Sequence, residues 1–113
     1  MEPEDPQLLK AEFERRQYRR VKLVTKVHCD ALERNEILVT RDVSPGGMFI
    51  NTPFPIPVDS ELSLTFRLNP IDRAITCRGK VKFSRMGLGM GIQFLDLGQE
   101  AQHELQKFVD EAA

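Results

Sequence analysis

The sequence contains no tryptophan, one tyrosine, two histidines and two cysteines in 113 residues. Each shortage removes a class of function. His28 and His103 stand singly and most of the chain apart, so no HxxxH or HExxH spacing exists to hold a zinc ion or seat a general base. Cys29 and Cys77 form no CxxC pair and have no neighbours that would make either a nucleophile. Both read as buried reduced thiols on the apolar sides of strands, with a disulfide between neighbouring strands as the other arrangement. Ser44 lies in no GxSxG elbow, and Gly87-Leu88-Gly89-Met90-Gly91 lacks the lysine and following helix of a phosphate loop. These residues give no support to an enzyme, and no metal or cofactor is expected.

Long apolar runs are missing as well. None approaches the ~20 residues that a spanning helix requires, and the start, Met1-Glu2-Pro3-Glu4-Asp5, is acidic where a signal peptide is basic. The expectation is a cytoplasmic protein without membrane insertion. Charge of one sign is not in excess either: 16 Lys and Arg stand against 17 Asp and Glu. A near-neutral chain has little of the attraction that tracking along a nucleic-acid polymer relies on, and Tyr18 is the aromatic that accompanies the arginine cluster. No nucleic-acid polymer is expected as partner.

What remains is an ordinary folded composition, 41% hydrophobic and 29% charged, in a chain long enough for one core and not for two. Asp5 before Pro6 has the form of a helix start, and Leu8, Leu9 and Phe13 continue at helical spacing, which predicts a short helix in an N-terminal arm. Near Tyr18 the period changes to two. Val21, Leu23, Thr25, Val27 and Cys29 then share one face of a strand, and Lys22, Lys26 and His28 the other.

A polar turn at residues 33–36 leads to a strand over 37–43, and Ser44-Pro45-Gly46-Gly47 turns it back as a strand over 48–52. The glycines there fall where a reversal can demand positive φ. Pro53, Pro55 and Pro57 interrupt pairing. Strands are expected again over 62–68, over 75–83 with Ile75, Cys77, Val81 and Phe83 inward, and over 90–95. Over 99–112, Ala101, Leu105, Phe108, Val109 and Ala112 line one face of a helix. The reading is mainly β: a small six-stranded antiparallel β-barrel with a C-terminal α-helix and a short N-terminal helical or flexible arm. An open sheet under the helix is the alternative.

Two motifs carry polar chemistry. Arg15-Arg16-Gln17-Tyr18-Arg19-Arg20 places four arginines just before the first strand, and Asp42-x-Ser44-x-x-Gly47 puts an acid, a hydroxyl and paired glycines at a hairpin. Alone, the arginines read equally as a solvated helix end paired with Glu12 and Glu14, and the turn as an acid and a hydroxyl bonded to local backbone.

Together, RxxxR before the first strand and DxSxxG at the next hairpin make the chain resemble the PilZ domain family, bacterial receptors for cyclic di-GMP. The resemblance also takes in Gly47-Met48-Phe49-Ile50, Val81-Lys82-Phe83, Gly89-Met90-Gly91-Ile92-Gln93-Phe94 and the C-terminal helix. It implies an arm over residues 1–14 and a PilZ-like domain over 15–113. It further implies cyclic di-GMP as ligand, held by Arg15, Arg16, Arg20, Asp42, Ser44, Gly46 and Gly47, with the arginine segment mobile when empty and folding onto the barrel around the nucleotide. Two RxxxR registers exist, Arg15 with Arg19 and Arg16 with Arg20; the second is preferred because in such sequences the last arginine abuts the first strand, as Arg20 abuts Val21. The extra arginine, Arg15, is associated by the resemblance with capture of two stacked nucleotides. With no output domain expected, the signal would leave through a downstream protein partner. A PilZ-like adaptor that works through protein contacts without nucleotide is the other function.

Overall fold

The computed structural model describes residues 19–31 and 33–112. The helix expected over residues 6–16, together with Arg15 and Arg16, lies outside the described residues. Seven strands and one helix follow in chain order: β1 (Val21–Lys22), β2 (Lys26–Ala31), β3 (Arg34–Ser44), β4 (Gly47–Asn51), β5 (Glu61–Phe66), β6 (Ile75–Arg85), β7 (Gly89–Phe94) and α1 (Gln99–Glu111). All pairings are antiparallel. The order β3-β2-β5-β6-β7-β4 closes on itself through β3–β4, and β1 adds a short strand beside β3. Closure leaves none of the six barrel strands with an unpaired edge, which settles the choice between barrel and open sheet.

Period-two patterning builds the barrel. In β2, Val27, Cys29 and Ala31 are buried while Lys26, His28 and Asp30 face out, and β5 repeats this with Leu62, Leu64 and Phe66 inward. These side chains join Val43, Met48, Ile50, Val81, Met90 and Ile92 in one core. Leu105 of α1 enters the same core and Val109 is buried beside it, which provides the surface that the apolar stripe of the helix needs. Ala112, expected on that stripe, caps the helix and is exposed.

Three details depart from the expected strands. The first strand is broken into β1 and β2 because the buried Thr40 hydroxyl donates to Leu23 O at 2.6 Å and accepts from the Thr25 amide at 3.0 Å, taking backbone groups that a continuous ladder would use. The strand expected from residue 37 begins at Arg34, where it pairs with Ala31, so residues 34–36 are ladder rather than turn. A bulge between Val81 and Phe83 shifts the register of β6 and moves Phe83 off the inner face.

The two cysteines lie in one cross-strand row, Cys29 opposite Leu64 and Leu64 opposite Cys77. Their strands are not neighbours, so no disulfide joins them, and both thiols are free and buried. Burial pushes Cys29 up to about 12 and Cys77 up to about 11 from an ordinary value of 9.0. Folded pKa values above the unfolded ones mean that burying the neutral thiols stabilises the fold below pH 9.0 and that this contribution is lost as pH rises toward 11 and 12. Native protein at neutral pH should therefore resist alkylation by iodoacetamide at both positions, while denatured protein takes two labels. Rapid native labelling, followed by mass spectrometry, would contradict this burial.

Among the described residues no helix is long and apolar enough to cross a membrane.

Candidate functional site

The site begins with the two-residue pairing of β1. Val21 lies opposite Val43 and Lys22 opposite Asp42, so Arg20, just upstream, is delivered to the outer face of the β3–β4 hairpin. Arg20 donates from Nε and Nη2 to Asp42 Oδ1 at 2.9 and 2.6 Å. The pair is half sheltered, with side chains 22% and 16% exposed. Arg19 turns the other way and donates to the Val109 carbonyl of α1 at 2.9 Å.

A second guanidinium reaches the same carboxylate. Arg41 is the extra residue of a bulge between Thr40 and Asp42, and its Nε donates to Asp42 Oδ2 at 2.9 Å. Each oxygen of Asp42 therefore faces an arginine. The Arg41 guanidinium carbon also stands 3.9 Å from the centroid of the Phe49 ring. Phe49, opposite Asp42 in the register, lies outside the barrel core yet is almost fully buried, with Phe83 beside it at a centroid distance of 6.2 Å. The outer face thus carries a carboxylate, two planar cations and an aromatic floor.

The turn residues do different work. Ser44 is buried; its Oγ accepts from the Gly46 and Gly47 amides, both at 3.2 Å, and so pins the hairpin in the manner of a local serine turn. Gly47 does not use positive φ, contrary to the expectation for this reversal. A glycine is required for space: a Cβ there would lie 2.0 Å from Ile92 O on β7. Of the residues assigned to the ligand by sequence, the structure brings Arg20, Asp42, Ser44, Gly46 and Gly47 together, while Arg15 and Arg16 lie outside the described residues.

Comparison with known proteins places the chain in a family. The PilZ domain family model matches residues 14–111. The chain belongs to the PilZ domain family. A search of curated proteins gives no match. Among solved structures, the chain is similar to the inhibitor of motility MotI/DgrA of Bacillus subtilis, with a TM-score of 0.74 and 20% identity over 87% of this chain and 51% of that one. It is similar to PlzA of Borreliella burgdorferi in complex with c-di-GMP, with a TM-score of 0.66 and 16% identity over 91% of this chain and 45% of that one. The PilZ domain of YcgR from Escherichia coli with c-di-GMP gives a TM-score of 0.65 and 12% identity over 88% and 92%. The chain spans about half the length of the first two, and at these identities the likeness is one of fold.

Sequence reasoning missed Arg41, Phe49 and Phe83. An arginine next to an aspartate in a regular strand points to the opposite face, and only a bulge lets both reach the same side. For Phe49 a signal existed: Met48-Phe49-Ile50 is apolar at three successive positions, so one must face outward, and a large outward apolar residue needs a cover.

Proposed function

We propose that this chain is a PilZ-type receptor that binds cyclic di-GMP and passes the signal to a partner protein. The observation that carries the reading is the bond from Arg20 to Asp42, because it joins the two sequence motifs at one place on the outer face of the barrel. Arginine and aspartate match the two edges of guanine. A guanidinium forks onto O6 and N7 or onto phosphate oxygens, and a carboxylate accepts from the N1 and N2 donors. Arg16 and Arg20, with Arg15, supply the cationic half. Asp42 reads the base, and Ser44 with Gly46 and Gly47 shapes the turn whose backbone meets the nucleotide. The placement of Arg19 against the helix carbonyl favours Arg16 with Arg20 over the other register. Titration calorimetry with cyclic di-GMP tests the reading; absence of saturable heat at tens of micromolar would leave the nucleotide-independent adaptor.

The same experiment reads stoichiometry. A stacked pair of cyclic di-GMP molecules brings four phosphates together, and a third guanidinium offsets their repulsion and covers a base that one nucleotide would leave exposed. Arg15 fills that need, so two nucleotides per chain are expected for the wild type and one for Arg15→Leu. A single nucleotide per wild-type chain at saturation would remove the pair and leave the receptor.

A further inference from the structure

The outer face beside Asp42 holds more than the two motifs account for. The register runs Asp42, Phe49, Gly91, Phe83 across β3, β4, β7 and β6. Gly89 of β7 makes room for the Phe49 ring: a Cβ there would lie 2.7 Å from Phe49 Cε1. The ring is thereby pressed onto the sheet, and its outer face carries Arg41.

Arg41 is consequently held on two sides, by the ring beneath its guanidinium carbon and by Asp42 Oδ2 at its Nε edge. Even so, its side chain is 46% exposed. A surface arginine ordinarily samples many rotamers and loses that freedom on binding, whereas one fixed in advance has less to lose. Its chemistry also narrows the choice of what it meets. The Nε edge is occupied by a carboxylate, whose charge disfavours an incoming phosphate close by, while the second face of the plane is suited to a flat π-system.

We propose that Arg41 is a further nucleotide-binding residue, its guanidinium stacking on a purine of the ligand to form a Phe49, Arg41 and purine stack beside Asp42. This rests on the receptor reading above and deepens it. The stack sets the height at which a guanine presents its N1 and N2 donors to Asp42, so Arg41 contributes to the choice of base as well as to affinity.

Two substitutions in the full chain test it, Arg41→Gln and Arg41→Lys, each titrated with cyclic di-GMP by calorimetry and melted without ligand. Glutamine removes the cation and keeps a donor for Asp42; lysine keeps the charge and removes the plane. Both are expected to weaken binding by about tenfold, the scale of one base stacked on a side chain, with ligand-free melting temperatures close to wild type. Binding unchanged in Arg41→Gln, or restored by Arg41→Lys to within about twofold of wild type, overturns the stack while the receptor stands. A melting temperature that falls in step with affinity overturns it too, since Arg41 would then serve merely to shield Phe49. Failure of the wild type itself to bind removes the receptor reading and this inference together.

Discussion

Asp42→Ala should weaken binding of cyclic di-GMP by about ten- to a hundredfold while the ligand-free protein melts within a few degrees of wild type. A charge-assisted hydrogen bond contributes about 1.5 to 3 kcal/mol, and each 1.4 kcal/mol is a factor of ten. Arg20→Ala should behave alike, because Asp42 keeps Arg41 as a partner when Arg20 is lost. The stability cost stays modest because the pair is not fully buried: the Arg20 and Asp42 side chains keep 22% and 16% exposure, which puts them between a surface pair and a fully buried one. Asp42→Ala separates two roles of the acid. It takes the Asp42 carboxylate away from the Arg20 and Arg41 guanidinium groups, which can still attract phosphate, and puts nothing in its place to accept from guanine N1 and N2. The variant should therefore lose discrimination for guanine over adenine dinucleotides along with affinity. Calorimetry with cyclic di-GMP and cyclic di-AMP checks both, and an Asp42→Ala protein that binds cyclic di-GMP as tightly as wild type would remove Asp42 from the site while the receptor reading stands.

The barrel was legible because its strands are half-buried, and alternation over β2 and β5 states which face is core. Irregularities were not. Nothing in Val21 to Cys29 announces that a threonine from β3 will take the Leu23 carbonyl and Thr25 amide and split the strand, since the cause lies fifteen or more residues away. The bulges at Arg41 and at Lys82 are invisible for the same reason, and they decide the site: one turns Arg41 to the side of Asp42, the other puts Phe83 beside Phe49. In the candidate site, the acid and the last arginine of the cluster were readable by type, as opposite charges that the fold brings together. Ser44 and Gly47 were readable by position but not by role, for a pattern with a hydroxyl and a glycine reads the same whether they touch a ligand or hold a hairpin.

Gly47 is where these two roles part most sharply. Gly47→Ala should destabilise the protein by about 3 kcal/mol or more, at the upper end of overpacking costs because the obstacle is backbone and cannot change rotamer. The added Cβ would meet Ile92 O at 2.0 Å and Ile92 C at 3.0 Å, so β4 and β7 must separate just where Gly47 pairs with Gln93. For a domain of this size that corresponds to a fall in melting temperature of about 15 °C. The loss must appear without ligand, because the clash lies between strands of the barrel. Gly91→Ala is the matched control on the neighbouring strand: its Cβ would find Phe83 Cβ at 3.4 Å and Phe49 Cδ2 at 3.9 Å, ordinary contacts with side chains that can adjust. Thermal melts of both variants decide the matter. If Gly47→Ala melted like wild type and yet lost the nucleotide, the glycine would stand in the motif for the ligand's approach. If it melted low and Gly91→Ala did not, the last position of DxSxxG would be written by the barrel, with the ligand using a turn that the fold already requires.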